Sequence, residues 1–74
     1  MLKTKQENLS KLLRKIRRDA DLSQKALAKR IFKSQSYISR YENGVCQIDL
    51  IEIETLCKEC GISLLNFVER YQKN

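Results

Sequence analysis

The sequence predicts an all-α domain of five helices, and three observations lead to this fold class. The 74-residue chain contains no proline and only two glycines, so residues that break helices are scarce. Apolar residues, which make up 42% of the chain, recur at the three- and four-residue spacing of one helical face. Serine or aspartate stands just before four of these periodic segments, where its side chain can cap a helix.

Helix 1 is predicted from the first periodic segment, which would have one apolar face and one basic face as a helix. Residues 1–7 precede this segment, and we expect them to form a loose N-terminal arm of one domain that spans residues 1–74. The apolar face contains Leu9, Leu12, Leu13, Ile16 and Ala20. The basic face contains Lys11, Arg14, Lys15 and Arg18.

Helices 2 and 3 are predicted from two caps that lie only eleven residues apart. Ser23 can cap a helix over residues 24–31, and Ser34 can cap a helix over residues 35–42. Gly44 can adopt the left-handed conformation that closes the second of these helices. Two capped helices this close together leave room only for a tight turn, which is the helix-turn-helix pattern.

Helices 4 and 5 complete the predicted domain. Asp49 can cap helix 4, Gly61 can end it, and Ser63 can cap helix 5. Helix 5 is more apolar than one buried face of a short helix requires, which suggests that a second subunit covers part of it. We expect a homodimer interface that combines part of helix 4 with three residues of helix 5, Leu65, Val68 and Tyr71.

The net charge of +6 is unevenly distributed along the chain. Residues 1–37 carry eleven Lys and Arg against three acidic residues, whereas residues 38–74 carry four against six. A basic first half favours one face that binds a polyanion, with the mildly acidic second half directed elsewhere. The alternative is a basic surface that only keeps the protein soluble.

Several other functional classes are disfavoured by the sequence. No apolar run approaches the length of a membrane span, so we expect no membrane segment and a cytoplasmic protein. The odd number of cysteines argues against a disulfide framework, and the pair Cys57 and Cys60 lacks the further ligands that a zinc site needs. Without histidine or a glycine-rich phosphate loop, we expect no catalytic site, cofactor or metal.

Residues 22–44, LSQKALAKRIFKSQSYISRYENG, carry a specific pattern. Its elements are Leu22-Ser23-Gln24, Leu27-Ala28, Ser34, Ile38-Ser39 and Glu42-Asn43-Gly44. This pattern resembles the lambda-repressor-like, Cro and Xre-type helix-turn-helix family. The resemblance implies that helix 2 lies across the DNA backbone while helix 3 enters the major groove.

Helix 3 carries one stripe of hydrogen-bonding side chains, opposite the apolar anchor Ile38. The stripe consists of Gln35, Ser36, Ser39 and Arg40, at positions i, i+1, i+4 and i+5. Glutamine can pair with adenine, arginine with guanine, and serine with several base edges. We therefore expect these four residues to contact bases, although a merely solvated helix face is the alternative.

The resemblance also implies roles for residues outside this stripe. It implies DNA phosphate contacts for Gln24, Lys33, Tyr37 and Asn43. It further implies a structural ion pair between Arg17 of helix 1 and Glu42 at the end of helix 3. The chain departs from the family pattern at Phe32, where glycine is common in the turn, and at residues 45–49, where the loop is not basic.

The resemblance implies a sequence-specific regulator of transcription that binds double-stranded DNA. We expect a dimeric repressor of the phage-repressor, restriction-modification controller or antitoxin type, bound to a two-fold symmetric operator. The alternative is a protein-interaction module, in which helix 5 and the acidic half bind a partner protein.

Overall fold

The computed structural model describes residues 2–73, with side chains from Lys5 onward, and this part of the chain contains five helices and no strand. The helices are α1 (Leu2–Asp19), α2 (Gln24–Arg30), α3 (Gln35–Glu42), α4 (Leu50–Glu59) and α5 (Leu64–Lys73). α2 packs against α3, and α1 contacts both α3 and α5. α4 packs against α5 and α2, so the predicted all-α fold with helix-turn-helix at helices 2 and 3 is confirmed.

One hydrophobic core holds the five helices together, and every helix contributes to it. Ile38 of α3, Leu27 of α2 and Leu56 of α4 are fully buried at its centre. Burial of a side chain of this size stabilises the folded state by about 1.5–3 kcal/mol. The remaining core residues are Leu12, Leu13, Ile16, Ala28, Ile31, Tyr41, Ile53, Cys57 and Phe67.

The four predicted N-caps all form in the structure. The Oγ atoms of Ser23, Ser34 and Ser63 each accept a hydrogen bond from the backbone N–H three residues later, at 3.0, 3.1 and 3.0 Å. Oδ1 of Asp49 accepts the corresponding bond at 2.8 Å. Each cap satisfies an amide that the first turn of a helix leaves unpaired, so these residues set where α2 to α5 begin.

The first four helices all end in the same way, with one residue in the left-handed conformation. These residues are Asp21, Phe32, Gly44 and Gly61, with φ between 59 and 79°. After each helix, this residue and the next donate backbone hydrogen bonds to carbonyl oxygens of the last turn, which is the Schellman motif. Carbonyl groups that the helix cannot pair are satisfied in this way.

Two predicted boundaries differ from the structure. We expected residues 1–7 to form a loose arm, but α1 begins at Leu2, and Met1 lies outside the described residues. The segment contains Lys, Gln, Glu and Leu without glycine or proline, and such residues favour continuation of the helix. α2 ends at Arg30, one residue earlier than predicted, because Ile31 is the C-cap.

Phe32 occupies the position in the turn between α2 and α3 where glycine is common in the family pattern. Its φ of 59° is the left-handed conformation that a glycine would adopt there without steric cost. The side chain is 94% exposed, so it gains almost no burial in return. The turn therefore keeps the geometry of a glycine turn at the expense of backbone strain.

Candidate nucleic-acid interface

The polar stripe of α3 lies on the protein surface, directly opposite the buried face of the same helix. Gln35, Ser36 and Arg40 are exposed, Ser39 is half-buried, and Ile38 is completely buried on the other side. Within residues 5–73, the side chains of Gln35 and Arg40 make no hydrogen bond or ion pair. The structure thus brings the four predicted base-contacting residues to one surface.

The N-terminal end of the stripe is ordered by the cap of α3. Oγ of Ser34 accepts the backbone N–H of Tyr37 and lies 3.3 Å from Oγ of Ser36. The Ser36 hydroxyl group is therefore held beside the first turn, while Gln35 extends freely from it. Within the stripe, long side chains are available at Gln35 and Arg40, and short hydroxyl groups lie between them.

A buried ion pair fixes the other end of α3 to α1. Nε and Nη2 of Arg17 donate to the two carboxylate oxygens of Glu42 at 2.7 and 3.0 Å. Nη1 of Arg17 also donates to the carbonyl oxygen of Leu22, at 2.8 Å. The hydrogen bond to Glu42 is the main cause that raises the pKa of Arg17, against the opposing effect of burial. This bidentate geometry sets the orientation of α3 relative to α1.

Gln24, predicted to contact a phosphate, belongs to the same buried network. Its Nε2 donates to Oε1 of Glu42 at 3.1 Å, and the side chain is half-buried at the start of α2. One amide proton of Gln24 is used in this bond, and the second is available to another acceptor. Gln24 therefore connects the start of α2 to the end of α3.

Lys33 and Tyr37, two further phosphate candidates, lie side by side next to the turn. Nζ of Lys33 is 3.6 Å from a carboxylate oxygen of Glu52 and 5.3 Å from the centre of the Tyr37 ring. The Tyr37 ring packs edge-to-face on Tyr41, with centroids 5.4 Å apart. Burial is the main cause that raises the pKa of Tyr37, so its hydroxyl group remains a neutral donor at physiological pH.

Asn43, the fourth phosphate candidate, makes two side-chain contacts at the C-cap of α3. Its Oδ1 accepts a hydrogen bond from Nη2 of Arg14 at 3.1 Å, and its Nδ2 donates to Oγ of Ser39 at 3.3 Å. The same Arg14 atom donates to the carbonyl oxygen of Glu42 at 3.2 Å. The sequence interpretation gave Arg14 no role in the site. Arg14 lies three residues before Arg17, so the two side chains are neighbours on the helix surface, and this spacing could have indicated that Arg14 also lies near Glu42.

A separate apolar surface lies on α4 and α5, away from the polar stripe. Leu65 is 70% exposed, Leu50 and Ile51 are also exposed, and Val68 and Tyr71 are half-buried. An apolar groove runs beside them. It is lined by Leu9, Leu50, Ile53, Leu64, Phe67, Val68 and Tyr71. Of the three predicted interface residues, Val68 and Tyr71 line this groove, whereas Leu65 is exposed on α5 and is not part of the lining.

The two cysteines of the CKEC segment are a buried thiol, Cys57, and a half-buried one, Cys60. Cys57 is buried in the core, and this burial raises its pKa from 9.0 to about 11. Burial also raises the pKa of Cys60. All three cysteines are free. Among the described residues, no group of three or more His, Cys, Asp or Glu side chains is arranged to hold a metal ion.

Across residues 2–73, none of the helices combines the length and the apolar character needed to cross a bilayer.

The family model of the helix-turn-helix matches residues 13–67. No curated protein sequence matches the chain.

At least three solved structures share the fold. Two are of the clp gene regulator ClgR from Corynebacterium glutamicum, each with 23% identity and covering 93% of this chain. They give TM-scores of 0.83 and 0.82 over 73% and 88% of their own chains. The third is a single-residue variant of the restriction-modification controller protein C.Esp1396I, with 24% identity and a TM-score of 0.86 over 95% of this chain and 93% of that one.

The two lines of comparison agree with the geometry. At these identities the solved structures show the fold alone, whereas the family match covers well over half of the sequence. The chain belongs to the lambda-repressor-like, Xre-type helix-turn-helix family.

Proposed function

We propose that this protein is a transcriptional regulator that binds double-stranded DNA sequence-specifically. The observation that carries the proposal is the exposed polar stripe of α3, on a helix whose far end is tied to α1 by Arg17 and Glu42. A helix that reads base edges needs both features, because its contacts discriminate only if its orientation is fixed. In this arrangement α3 enters the major groove, and α2 crosses the DNA backbone.

The chemistry of the stripe suits the groove. Arg40 can donate two hydrogen bonds to guanine, and Gln35 can pair with adenine. Ser36 and Ser39 have short side chains, so they can reach bases only where the helix lies deep in the groove. Each good bidentate contact discriminates between bases by about 1–3 kcal/mol.

Contacts to the phosphate backbone supply the remaining affinity. The exposed lysine and arginine side chains of α1 and α2, which do not include the buried Arg17, attract the polyanion. Gln24 has one amide proton left for a phosphate, and Lys33 can exchange its exposed contact with Glu52 for one. Tyr37 can donate through its hydroxyl group. Asn43 also keeps one amide proton, but its side chain is held by Arg14 and Ser39, so we assign it the weakest phosphate role of the four.

Dimerisation follows from the apolar surface of α4 and α5. Leu50, Val68 and Tyr71 line an apolar groove that a second subunit can bury, and Leu65 is an exposed apolar residue on the same helix as Val68 and Tyr71. A two-fold dimer places two α3 helices on half-sites about one helical turn, or roughly 34 Å, apart. We propose a cytoplasmic homodimeric repressor of the phage-repressor, restriction-modification controller or antitoxin type.

The same apolar surface also favours a second candidate function, which is binding of a partner protein. Three exposed large apolar residues, Leu50, Ile51 and Leu65, lie on the acidic half of the chain. In a protein-interaction module, such as an antitoxin whose main role is to bind a partner, this surface would act without any DNA sequence preference.

Selection of binding sites from a randomised duplex pool, at near-physiological salt, tests the proposal. Non-specific binding is weak at this salt concentration, so enrichment reports sequence preference. An enriched palindrome with half-sites about one turn, or roughly 34 Å, apart supports the dimeric regulator. If only salt-sensitive binding without enrichment is observed, the proposal is wrong and the protein-interaction module is favoured.

A further inference from the structure

The C-cap of α3 is an asparagine that a glycine follows, Asn43 and then Gly44. An asparagine side chain loses its amide group when the backbone nitrogen of the next residue attacks Cγ, which makes asparagine chemically labile. Glycine hinders this attack least, because it has no Cβ. Asn8 and Asn66 are followed instead by leucine and phenylalanine. In an unfolded chain, Asn43 is therefore the most reactive of these three asparagines.

This reaction, deamidation, needs only water besides the chain itself. The Gly44 nitrogen forms a bond to Cγ of Asn43, the bond from Cγ to Nδ2 breaks, and ammonia leaves with the proton of the Gly44 amide. Water then opens the resulting succinimide ring at one of its two carbonyl groups. The product is either aspartate or isoaspartate, in which the main chain runs through the former side chain.

The folded backbone keeps the attacking nitrogen away from Cγ. Since ψ of Asn43 is 4°, the Gly44 nitrogen is eclipsed with the backbone nitrogen of Asn43 and turned away from its Cβ. The N–H group of Gly44 donates to the carbonyl oxygen of Tyr41 at 3.2 Å, and that of Val45 donates to the carbonyl oxygen of Arg40 at 2.8 Å. Rotation of the Gly44 nitrogen toward Cγ breaks both of these bonds, which close α3.

The side chain of Asn43 is also held, although the residue is exposed. Its Oδ1 accepts a hydrogen bond from Nη2 of Arg14 at 3.1 Å, and its Nδ2 donates to Oγ of Ser39 at 3.3 Å. Arg14 lies on α1, which the buried pair of Arg17 and Glu42 connects to the end of α3. Tertiary contacts with α1 therefore hold the two reacting groups in an unreactive arrangement.

We propose that Asn43 is a deamidation site that the folded C-cap of α3 protects, so that ammonia is lost only while this end of the helix is open. The contacts from α1 keep it closed, and loosening them exposes the site. Refolding does not reverse the reaction, so each deamidated chain is permanently altered. Isoaspartate lengthens the main chain within the turn, and the two hydrogen bonds that close α3 then lose their geometry.

Timed incubation of the unaltered protein at neutral pH, folded in buffer or unfolded in guanidinium chloride, tests the proposal. Trypsin releases residues 41–58, in which Asn43 is the only asparagine, and fragment masses give the fraction whose amide has become an acid. A sample digested at time zero corrects for reaction during digestion. We expect the folded protein to react at least about 5-fold more slowly, the ratio for two hydrogen bonds that must break.

Arg17→Met should expose the site, because it removes the buried pair between α1 and α3 and leaves Asn43 and Gly44 unchanged. While circular dichroism shows this variant to be folded, it should deamidate at least about 5-fold faster than the unaltered protein, since loss of one member of a buried pair is strongly destabilising. Lys15→Met is the matched control. It removes only the exposed pair with Asp19, so the rate should not change.

Three results would overturn the proposal. One is a folded protein that reacts less than about 5-fold more slowly than the unfolded chain. Another is an unfolded chain in which Asn43 reacts no faster than Asn8 and Asn66. The third is a folded Arg17→Met variant that reacts at the rate of the unaltered protein. If Arg17→Met does not fold, the first two measurements decide. None of these experiments contains DNA, so failure of the proposed function would leave their outcome unchanged.

Discussion

The guanidinium group of Arg17 on α1 donates two hydrogen bonds to the carboxylate group of Glu42, the last residue of α3. Both residues are buried, and the two are 25 positions apart in the chain. One polar contact therefore connects the first helix to the helix that carries the candidate site.

Arg17→Met should destabilise the fold strongly, because Glu42 would remain as a buried charge without its main partner. Loss of one member of a buried pair costs about 3–5 kcal/mol, which urea denaturation measures directly. Lys15→Met is the control, since Lys15 forms an exposed pair with Asp19 at 3.3 Å that contributes at most about 1 kcal/mol. Equal losses of unfolding free energy in the two variants would show that the buried pair stabilises the fold no more than the exposed pair.

Phe32→Gly should stabilise the protein, because glycine adopts the left-handed conformation of this turn without steric cost. We expect a gain of about 0.5–1 kcal/mol in the free energy of unfolding, after the greater chain entropy of glycine is subtracted. Phe32→Ala keeps the strain and should change little. Gly61→Ala is the reverse control: its Cβ would meet nothing within 4 Å, so any loss of stability is conformational.

Arg40→Ala should reduce DNA binding mainly at one base position. We expect a loss of about 1–3 kcal/mol that disappears when that base is replaced, measured by competition with the four possible base pairs. Arg18→Ala removes an equivalent exposed charge from α1 and should weaken all sequences alike. A uniform loss in Arg40→Ala would make Arg40 a phosphate contact.

Leu65→Glu should prevent dimerisation, because it places a charge in the proposed interface. Sedimentation equilibrium at high micromolar concentration should show a dimer for the unaltered protein and a monomer for the variant. Val45→Glu is a matched control, because Val45 is also 70% exposed but lies just after α3 rather than on α5. Dimers that survive Leu65→Glu would place the interface elsewhere.

The stability of the fold should fall between about pH 9 and pH 11, in part through Cys57. Burial raises the pKa of this thiol from 9.0 to about 11, so the folded state retains a proton that the unfolded chain loses above pH 9. This contribution is complete below pH 9 and is lost as the pH rises to about 11. Denaturation of the unaltered protein and Cys57→Ala should give a shallower pH dependence for the variant, whereas parallel curves would exclude this thiol.

Most of the fold was predictable because helix boundaries are encoded locally. Ser34 and Gly44 lie within a few positions of the ends of α3, and the predicted residues 35–42 coincide with the observed helix. The start of α1 was predicted wrongly, since residues 2–7 continue the helix without a cap that the sequence reveals. The favourable helix propensity of residues 2–7 is the reason that α1 extends over them.

The arrangement of the candidate site was only partly predictable. The spacing of Gln35 and Arg40 places them on one face of any helix, so their common surface followed from the sequence. The contacts of Asn43 did not, because its partner Arg14 is 29 positions away and is brought close only by packing of α1 against α3. Sequence periodicity assigns a residue to a face but not to a partner.

The shared ending of the first four helices also bears on how fast the chain folds. The hydrogen bonds that close these helices join residues no more than five positions apart, and those of the caps join residues three apart. Little chain entropy is lost in forming such contacts, and domains dominated by them fold within microseconds to milliseconds. The helix termini can thus form early, but helices of seven to ten residues, such as α2 to α5, are marginal alone, so packing around Ile38 stabilises them.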